Sequence, residues 1–322
     1  MQAAQWRALT LADCSEWAAL LNEVERQDDA GEHYDAADLA EELADPKQDS
    51  ARNTIGIWAG AELVAYGAVQ GASAVLDGEY RVRLLGAVAP KHRRLGFGGR
   101  LLDWLLARGA ALHTERHPQA AGLAEVRALA GNAGQRALLE RAGFSPVRWF
   151  FDMQRALAEI PPLRVPAGLR LMPFQLAHSE ATRLAHNEAF ADHWGFTPTS
   201  VEDWRRWGIG QRAFRPGVSF LLLDGTEVAG YLLSYEYEAE MAATGVREAH
   251  VSVLGTRRPW RGRGAGRALL AQAVRAYAEQ GYHRAALGVD ATNPTGALGL
   301  YESLGFAIRR QSISYARPLL PG

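Results

Sequence analysis

Arg261-Gly262-Arg263-Gly264-Ala265-Gly266-Arg267-Ala268-Leu269-Leu270 links the strand-like run His250 to Leu254 to a long Ala- and Leu-rich stretch of helical character. Three glycines in five residues leave no Cβ to keep a ligand off the main chain. The helix that starts here adds N–H groups without helical acceptors and the positive end of its dipole. Arg261, Arg263 and Arg267 add charge-assisted donors. Such a loop suits a pyrophosphate. Two common phosphate loops do not fit. A P-loop needs Gly-Lys-Ser/Thr after its glycines, and a Rossmann fingerprint needs Gly-x-Gly-x-x-Gly at the first strand with an acid ~20 residues on.

The loop occurs twice. Arg93-Arg94-Leu95-Gly96-Phe97-Gly98-Gly99-Arg100-Leu101-Leu102 repeats it half a chain earlier, and other landmarks recur in step. Gly60-Ala61-Glu62 matches Gly225-Thr226-Glu227, Arg141-Ala142-Gly143-Phe144 matches Ser303-Leu304-Gly305-Phe306, and Met153-Gln154-Arg155 matches Tyr315-Ala316-Arg317. So long a period exceeds that of any solenoid repeat and means two similar domains in tandem. A length of 322 residues allows two, each with a core of its own. The Pro-rich run Ile160 to Pro166 marks the boundary, giving domains 1–157 and 168–322 joined by a linker, 158–167. Each half reads as a short strand, helical material, a hairpin, a strand feeding the glycine loop, a helix, a fifth strand, a second helix and a closing strand. This is a mixed α/β order.

A formal net charge of −1 gives no global basic field for nucleic acid. The single cysteine, Cys14, excludes an internal disulfide framework and reads as a packed helix-face residue in a reducing compartment. No charged and apolar leader opens the chain and no apolar run approaches ~18 residues, which predicts a cytoplasmic protein without a membrane anchor. No His, Cys, Asp or Glu spacing points to a metal.

On these residues the chain resembles the GNAT superfamily of N-acetyltransferases, in both halves. The acetyl-CoA loop of that family is Arg/Gln-x-x-Gly-x-Gly/Ala after the fourth strand, matched by Arg93 to Gly98 (with a preceding Val88-Ala89-Pro90) and by Arg261 to Gly266. The two-domain layout is similar to that of mycothiol synthase. The resemblance implies two GNAT domains, each a twisted, mostly antiparallel sheet flanked by helices, with acetyl-CoA as cosubstrate. It assigns to the cofactor Leu254, Gly255, Thr256, Arg261, Gly262, Arg263, Gly264, Ala265, Gly266, Arg267 and Asn293. In the first half it assigns Val88, Arg93, Arg94, Gly96, Phe97, Gly98 and Gly99.

The resemblance also separates the halves. In the family a Tyr four residues before the Gly-Phe helix end lies near the thioester sulfur; here that residue is Tyr301, the candidate general acid. The first half keeps an Asn, Asn132, but has Leu139 at the matching place, so it reads as CoA-binding and not catalytic. Acetyl transfer needs a neutral amine and therefore a base, with backbone N–H groups of Val253 to Thr256 holding the thioester carbonyl. Strand parity puts Glu248, His250 and Ser252 on one face, and Glu248 and His250 are the candidate bases. Asp290 reads as a turn cap near Asn293. Trp194, Trp204, Trp207 and His193 lie where the family shapes its acceptor pocket, although core packing accounts for at least one of the tryptophans. The expected function is acetyl transfer from acetyl-CoA to a primary amine of a small molecule, by a monomer or homodimer. The alternatives are an inactive CoA-binding scaffold and transfer of another acyl group.

Overall fold

The computed structural model describes residues 4–293 and 296–319; Pro294 and Thr295, next to Asn293, lie outside the described residues. In the first half, β1 (Gln5–Arg7) leads into α1 (Cys14–Asp28), α2 (Ala36–Leu43) and a single turn, α3 (Ser50–Asn53). The hairpin β2 (Thr54–Ala59) and β3 (Glu62–Gly71) follows, then β4 (Glu79–Val88), α4 (Phe97–Arg116), β5 (Ala121–Leu129), α5 (Ala133–Arg141) and β6 (Ser145–Ala156). The second half repeats the order with β7 (Arg170–Pro173), α6 (Ser179–Phe190), the short turn α7 (Val201–Asp203), β8 (Phe220–Asp224) and β9 (Glu227–Tyr235). It continues with α8 (Glu238–Thr244), β10 (Glu248–Thr256), α9 (Ala265–Glu279), β11 (Arg284–Asp290), α10 (Ala297–Ser303) and β12 (Ala307–Pro318). The fold is the mixed α/β arrangement expected. Strands β1 to β4 and β7 to β10 pair antiparallel, while β4 with β5 and β10 with β11 form one parallel pair in each unit.

The closing strands change places. Residues 150–156 of β6 pair with β11, from Phe150↔Asp290 to Ala156↔Arg284, and residues 312–318 of β12 pair with β5, from Ser312↔Leu129 to Pro318↔Leu123. The compact units are therefore Met1–Trp149 with Gln311–Gly322, and Phe150–Arg310. Sequence halves cut at 157/168 do not coincide with them, and the 158–167 segment lies inside the second unit. Duplication explains this: two similar fifth strands offer similar edges, so each accepts a closing strand from either half, as in domain swapping.

Each unit buries both faces of its sheet. In the second, Leu269, Leu270, Ala273, Val274 and Tyr277 recur at the helical spacing that turns one face of α9 inward. They pack on Leu222, Leu232, Val251 and Leu287, with Met153 supplied by β6. Trp204, Phe214, Tyr231, Leu233 and Tyr235 fill the opposite face. In the first unit Leu101, Leu105 and Leu112 of α4 pack on Ile55, Val82 and Leu84, with Ile313 and Tyr315 supplied by β12. Cys14 is buried on the α1 side of that unit beside Trp17 and Leu20. One buried charge ties the second unit together. Glu236 accepts from Arg247 Nε (2.6 Å), Arg215 Nε (3.1 Å) and Tyr282 Oη (2.7 Å), joining the starts of three segments.

Candidate active site

The two glycine loops share a backbone path. Gly262 and Gly264 lie at φ 70° and 86°, and Arg94 and Gly96 at 64° and 85°, in the corresponding places. Nothing lies within 4 Å of a Cβ built on Gly262 or Gly264, so the backbone angle, not crowding, calls for glycine there. Arg94 adopts the left-handed form as an L-residue, which costs about 1–2 kcal/mol. Arg94→Gly should therefore stabilise the first unit by about 0.5–1 kcal/mol once glycine's unfolded-state entropy is offset. Thermal unfolding of the variant measures this, and an unchanged or lowered transition refutes it.

Two of the three arginines read as anion donors are committed to the protein itself. Arg261 donates from Nε to the Thr256 carbonyl (3.1 Å) and from Nη2 to the Ala189 carbonyl (2.7 Å), with Asp192 at 3.5 Å. It fastens the loop to the end of β10 and to α6. Arg267 donates to Ser303 Oγ at 2.8 Å. Arg263 is exposed and makes no side-chain hydrogen bond to a described residue. An anion here meets the loop N–H groups, the start of the 15-residue helix α9 and one free guanidinium.

β10 opens the sheet beside this loop. It pairs with β11 only from Glu248↔Arg284 to Val251↔Leu287, and its register against β9 slips by one residue between Val251 and Val253. Ser252 is the extra residue of this β-bulge. The bulge resets parity, so Val251 and Leu254 both belong to the α9-side core. Beyond it the strand keeps its β9 neighbour and parts from β11. Arg257 N–H donates to the Ala229 carbonyl on the β9 side (3.0 Å). Antiparallel alternation then turns the N–H groups of Gly255 and Val253 toward β9, and those of Leu254 and Thr256 toward the opening. Gly255 is fixed by packing: an added Cβ would sit 2.5 Å from Tyr231 Cε1. Tyr231 in turn meets His186 Nδ1 at 2.6 Å, a contact between β9 and α6 that sequence reading did not find.

The candidate catalytic groups differ in how free they are. Glu248 is held by Arg284 Nε and by Gln154 Nε2 (3.1 Å), and Arg284 also bonds Glu240 (3.0 Å). Burial raises the Glu248 pKa despite the Arg284 charge, but its oxygens are engaged in this cluster. His250, partly buried beside the Tyr237 ring at 6.0 Å, makes no hydrogen bond to a described residue. Burial lowers its pKa to about 4, so the imidazole is neutral at pH 7. Tyr301, on α10, packs edge-on against Phe306 at 6.2 Å, and its Oη has no hydrogen-bond partner among the described residues. Burial pushes this phenol up to about 12, so it keeps its proton. Asp290 Oδ1 accepts from Thr292 N–H (2.9 Å) and Oγ1 (3.1 Å), and Asn293 N–H donates to the Asp290 carbonyl (3.1 Å); Asp290 is a turn cap. Trp204 is core, donating to Ser179 Oγ at 3.1 Å, whereas Trp194 stands against Phe150 at 6.4 Å. No group of three or more metal-ligating side chains occurs among the described residues.

The first unit lacks these groups. Phe144 N–H donates to the Leu139 carbonyl (3.0 Å) as Phe306 N–H does to that of Tyr301 (3.1 Å), so Leu139 stands where Tyr301 stands. β4 pairs with β3 without a register shift, and Arg83, opposite Gln70 and Glu125, holds the place of His250, opposite Tyr235 and Ala286. An arginine cannot accept a proton near neutrality.

Known proteins are similar to this chain in sequence and fold. The Acetyltransferase (GNAT) family profile matches residues 180–306. A mycothiol acetyltransferase of Streptomyces scabiei (strain 87.22) is 31% identical over 235 residues, covering 71% of this chain and 69% of that protein. The mycothiol acetyltransferase of Streptomyces coelicolor is 29% identical over 92% of this chain and 89% of its own length. The crystal structure of a GCN5-related N-acetyltransferase from Sphaerobacter thermophilus superposes with a TM-score of 0.78 at 25% identity, over 100% of this chain and 98% of that one. A tandem GNAT protein from the clavulanic acid biosynthesis pathway has the same fold, with a TM-score of 0.70 at 15% identity over 99% of this chain and 100% of its own. The chain therefore belongs to the GNAT family of acetyltransferases, with two such units in tandem.

Proposed function

We propose that residues 150–310 transfer the acetyl group of acetyl-CoA to a primary amine of a small molecule by direct attack on the thioester. The observation that supports this reading is the opening between β10 and β11 beside the glycine loop, toward which strand alternation turns the Leu254 N–H. His250 takes the proton of the attacking amine as nitrogen bonds to the acetyl carbon. The Leu254 N–H holds the carbonyl oxygen while it carries charge. The carbon–sulfur bond breaks with its electron pair going to sulfur, where Tyr301 donates a hydrogen bond and then its proton. The phenolate is reprotonated from solvent as His250 releases to solvent the proton it took from the amine. A phenol at about 12 is a weaker acid than an ordinary thiol of about 8.5. Tyr301 therefore acts first as a donor that stabilises the leaving thiolate. The free imidazole favours His250 over Glu248 as the base, since Glu248 would have to leave Arg284 and Gln154.

Free-thiol release from acetyl-CoA against a panel of amines tests the reading. The panel should include the amine precursor of mycothiol, because the relatives above are mycothiol acetyltransferases. Turnover with at least one amine is expected, and His250→Gln should lower kcat by about 10²-fold. With His250 at about 4, its own acid limb falls near pH 4, and the rate between pH 6 and 9 should follow ionisation of the acceptor amine. CoA binding without turnover on any amine would favour the scaffold. An acid limb near pH 6.5 that disappears in His250→Gln would contradict the buried imidazole.

A further inference from the structure

The first unit repeats the glycine loop and the parting strands, yet a side-chain bridge crosses its opening. β4 pairs with β5 only from Glu79↔Ala121 to Arg83↔Glu125, and beyond that the strands separate, as β10 and β11 do. Arg93 follows β4, and Asn132 follows β5. Asp28, the last residue of α1, joins the two. Its carboxylate receives both Arg93 guanidinium nitrogens, Nη1 on Oδ1 at 2.7 Å and Nη2 on Oδ2 at 2.8 Å, and the Asn132 amide Nδ2 on Oδ2 at 3.2 Å. Arg93 is anchored further by Nε on the Val88 carbonyl (3.2 Å), and Asn132 Oδ1 is occupied by the Gln135 N–H (3.0 Å). The Asp28 side chain is 13% exposed.

We infer that this Arg93–Asp28–Asn132 bridge is a latch that keeps the first unit from taking CoA, so that the protein loads one CoA per chain, in residues 150–310. Three physical points support it. The bridge spans the two lips between which a pantetheine arm would have to pass. It draws the amide nitrogen of Asn132, the residue matching Asn293, onto Asp28, while its oxygen caps α5 through the Gln135 N–H. It also puts a carboxylate on the arginine that begins the anion loop, where a pyrophosphate would be repelled. The second unit closes its arginine differently. Arg261 bonds a neutral backbone carbonyl at 2.7 Å, and its nearest acid, Asp192 at 3.5 Å, is also paired with Arg258 at the surface. The difference begins in helix length: α1 has 15 residues and ends in Asp28, whereas α6 has 12 and ends in Phe190.

The inference depends on the proposed function only for the second unit's CoA, and the experiment separates the two. Full-length protein is titrated with CoA by calorimetry, and hydrogen–deuterium exchange locates each site. The wild type should bind one CoA per chain, with protection at residues 262–268 and none at 94–100. Asp28→Ala should gain a second site with protection at 94–100, at least about tenfold tighter than anything detectable there in the wild type. Asp28→Asn keeps the shape, removes the charge and should give a smaller gain; it carries the test if Asp28→Ala does not fold. Protection at 94–100 in the wild type, or no second site in either variant, would overturn the latch. A variant that gains protection at 94–100 while 262–268 stays unprotected would sustain the latch and reject the second unit as the CoA site.

Discussion

Tyr301→Phe should lower kcat by about 10²–10³-fold while leaving CoA affinity within about twofold. The ring packs on Phe306 in the α9-side core, and a phenylalanine fills the same volume, so binding and stability should change little. What disappears is one O–H. Its pKa of about 12 keeps the wild-type proton in place across the working range, so the variant should lose rate uniformly between pH 6 and 9 and not at one limb. General acid catalysis by a placed side chain is worth about 10²–10⁴-fold, and the lower part of that range applies because a thiolate is already a fair leaving group. Steady-state kinetics with a CoA titration checks the split. Unchanged kcat would remove Tyr301 from the chemistry. A loss shared equally with CoA affinity would make its role one of binding.

Glu236→Ala should destabilise the second unit by about 3 kcal/mol, the largest stability effect expected of a single site outside the apolar core. Glu236 is 8% exposed and accepts from Arg247, Arg215 and Tyr282, which precede or begin separate segments. Removing it leaves two guanidinium groups and a phenol without their shared acceptor, and breaking such a pair costs more than its formation gained. Burial alone would raise this carboxyl, but the hydrogen bonds from Arg247, Tyr282 and Arg215 outweigh it and hold the group at about 2. A carboxylate depressed in the folded state contributes stability above its unfolded pKa of about 4.3, and that contribution fades as pH falls toward 2. Wild-type melting temperature should therefore drop between about pH 5 and 2, and Glu236→Gln should flatten that limb. An equally steep acid limb in the variant would assign it to other carboxylates.

The order of elements and the paired loops were legible in the sequence because both depend on local signals. Glycine spacing, hairpin turns and the Gly-Phe helix ends each specify a few neighbouring residues. Tyr301 against Leu139 was visible for the same reason. What escaped the sequence depends on distant partners. Arg261 and Arg267 read as anion donors, but their guanidinium groups go to Thr256, Ala189 and Ser303. Glu248 and His250 share strand parity, and only cross-strand neighbours show that Arg284 and Gln154 occupy one and leave the other. The bulge at Ser252, which has no counterpart between β3 and β4, leaves no composition signal. Arg83 comes to hold the place of His250 only when that one-residue slip is counted. The exchange of closing strands was hidden for a different reason: two near-equivalent sheet edges make either assignment locally consistent.

That exchange sets the order in which the protein can be completed. A chain leaving the ribosome builds β1 to β5 early, but the strand that covers the edge of β5 lies at residues 312–318 and is made only after β7 to β11. Ile313 and Tyr315, which fill the first unit's core, arrive with it. Until then the first unit exposes an unpaired edge and an incomplete apolar face, the condition in which nascent domains pair with the wrong partner. The second unit has the opposite history, since its β6 strand is waiting before β11 is synthesised. The later-made unit thus finishes first, and the loss of residues 312–318 would be felt in the earlier-made one.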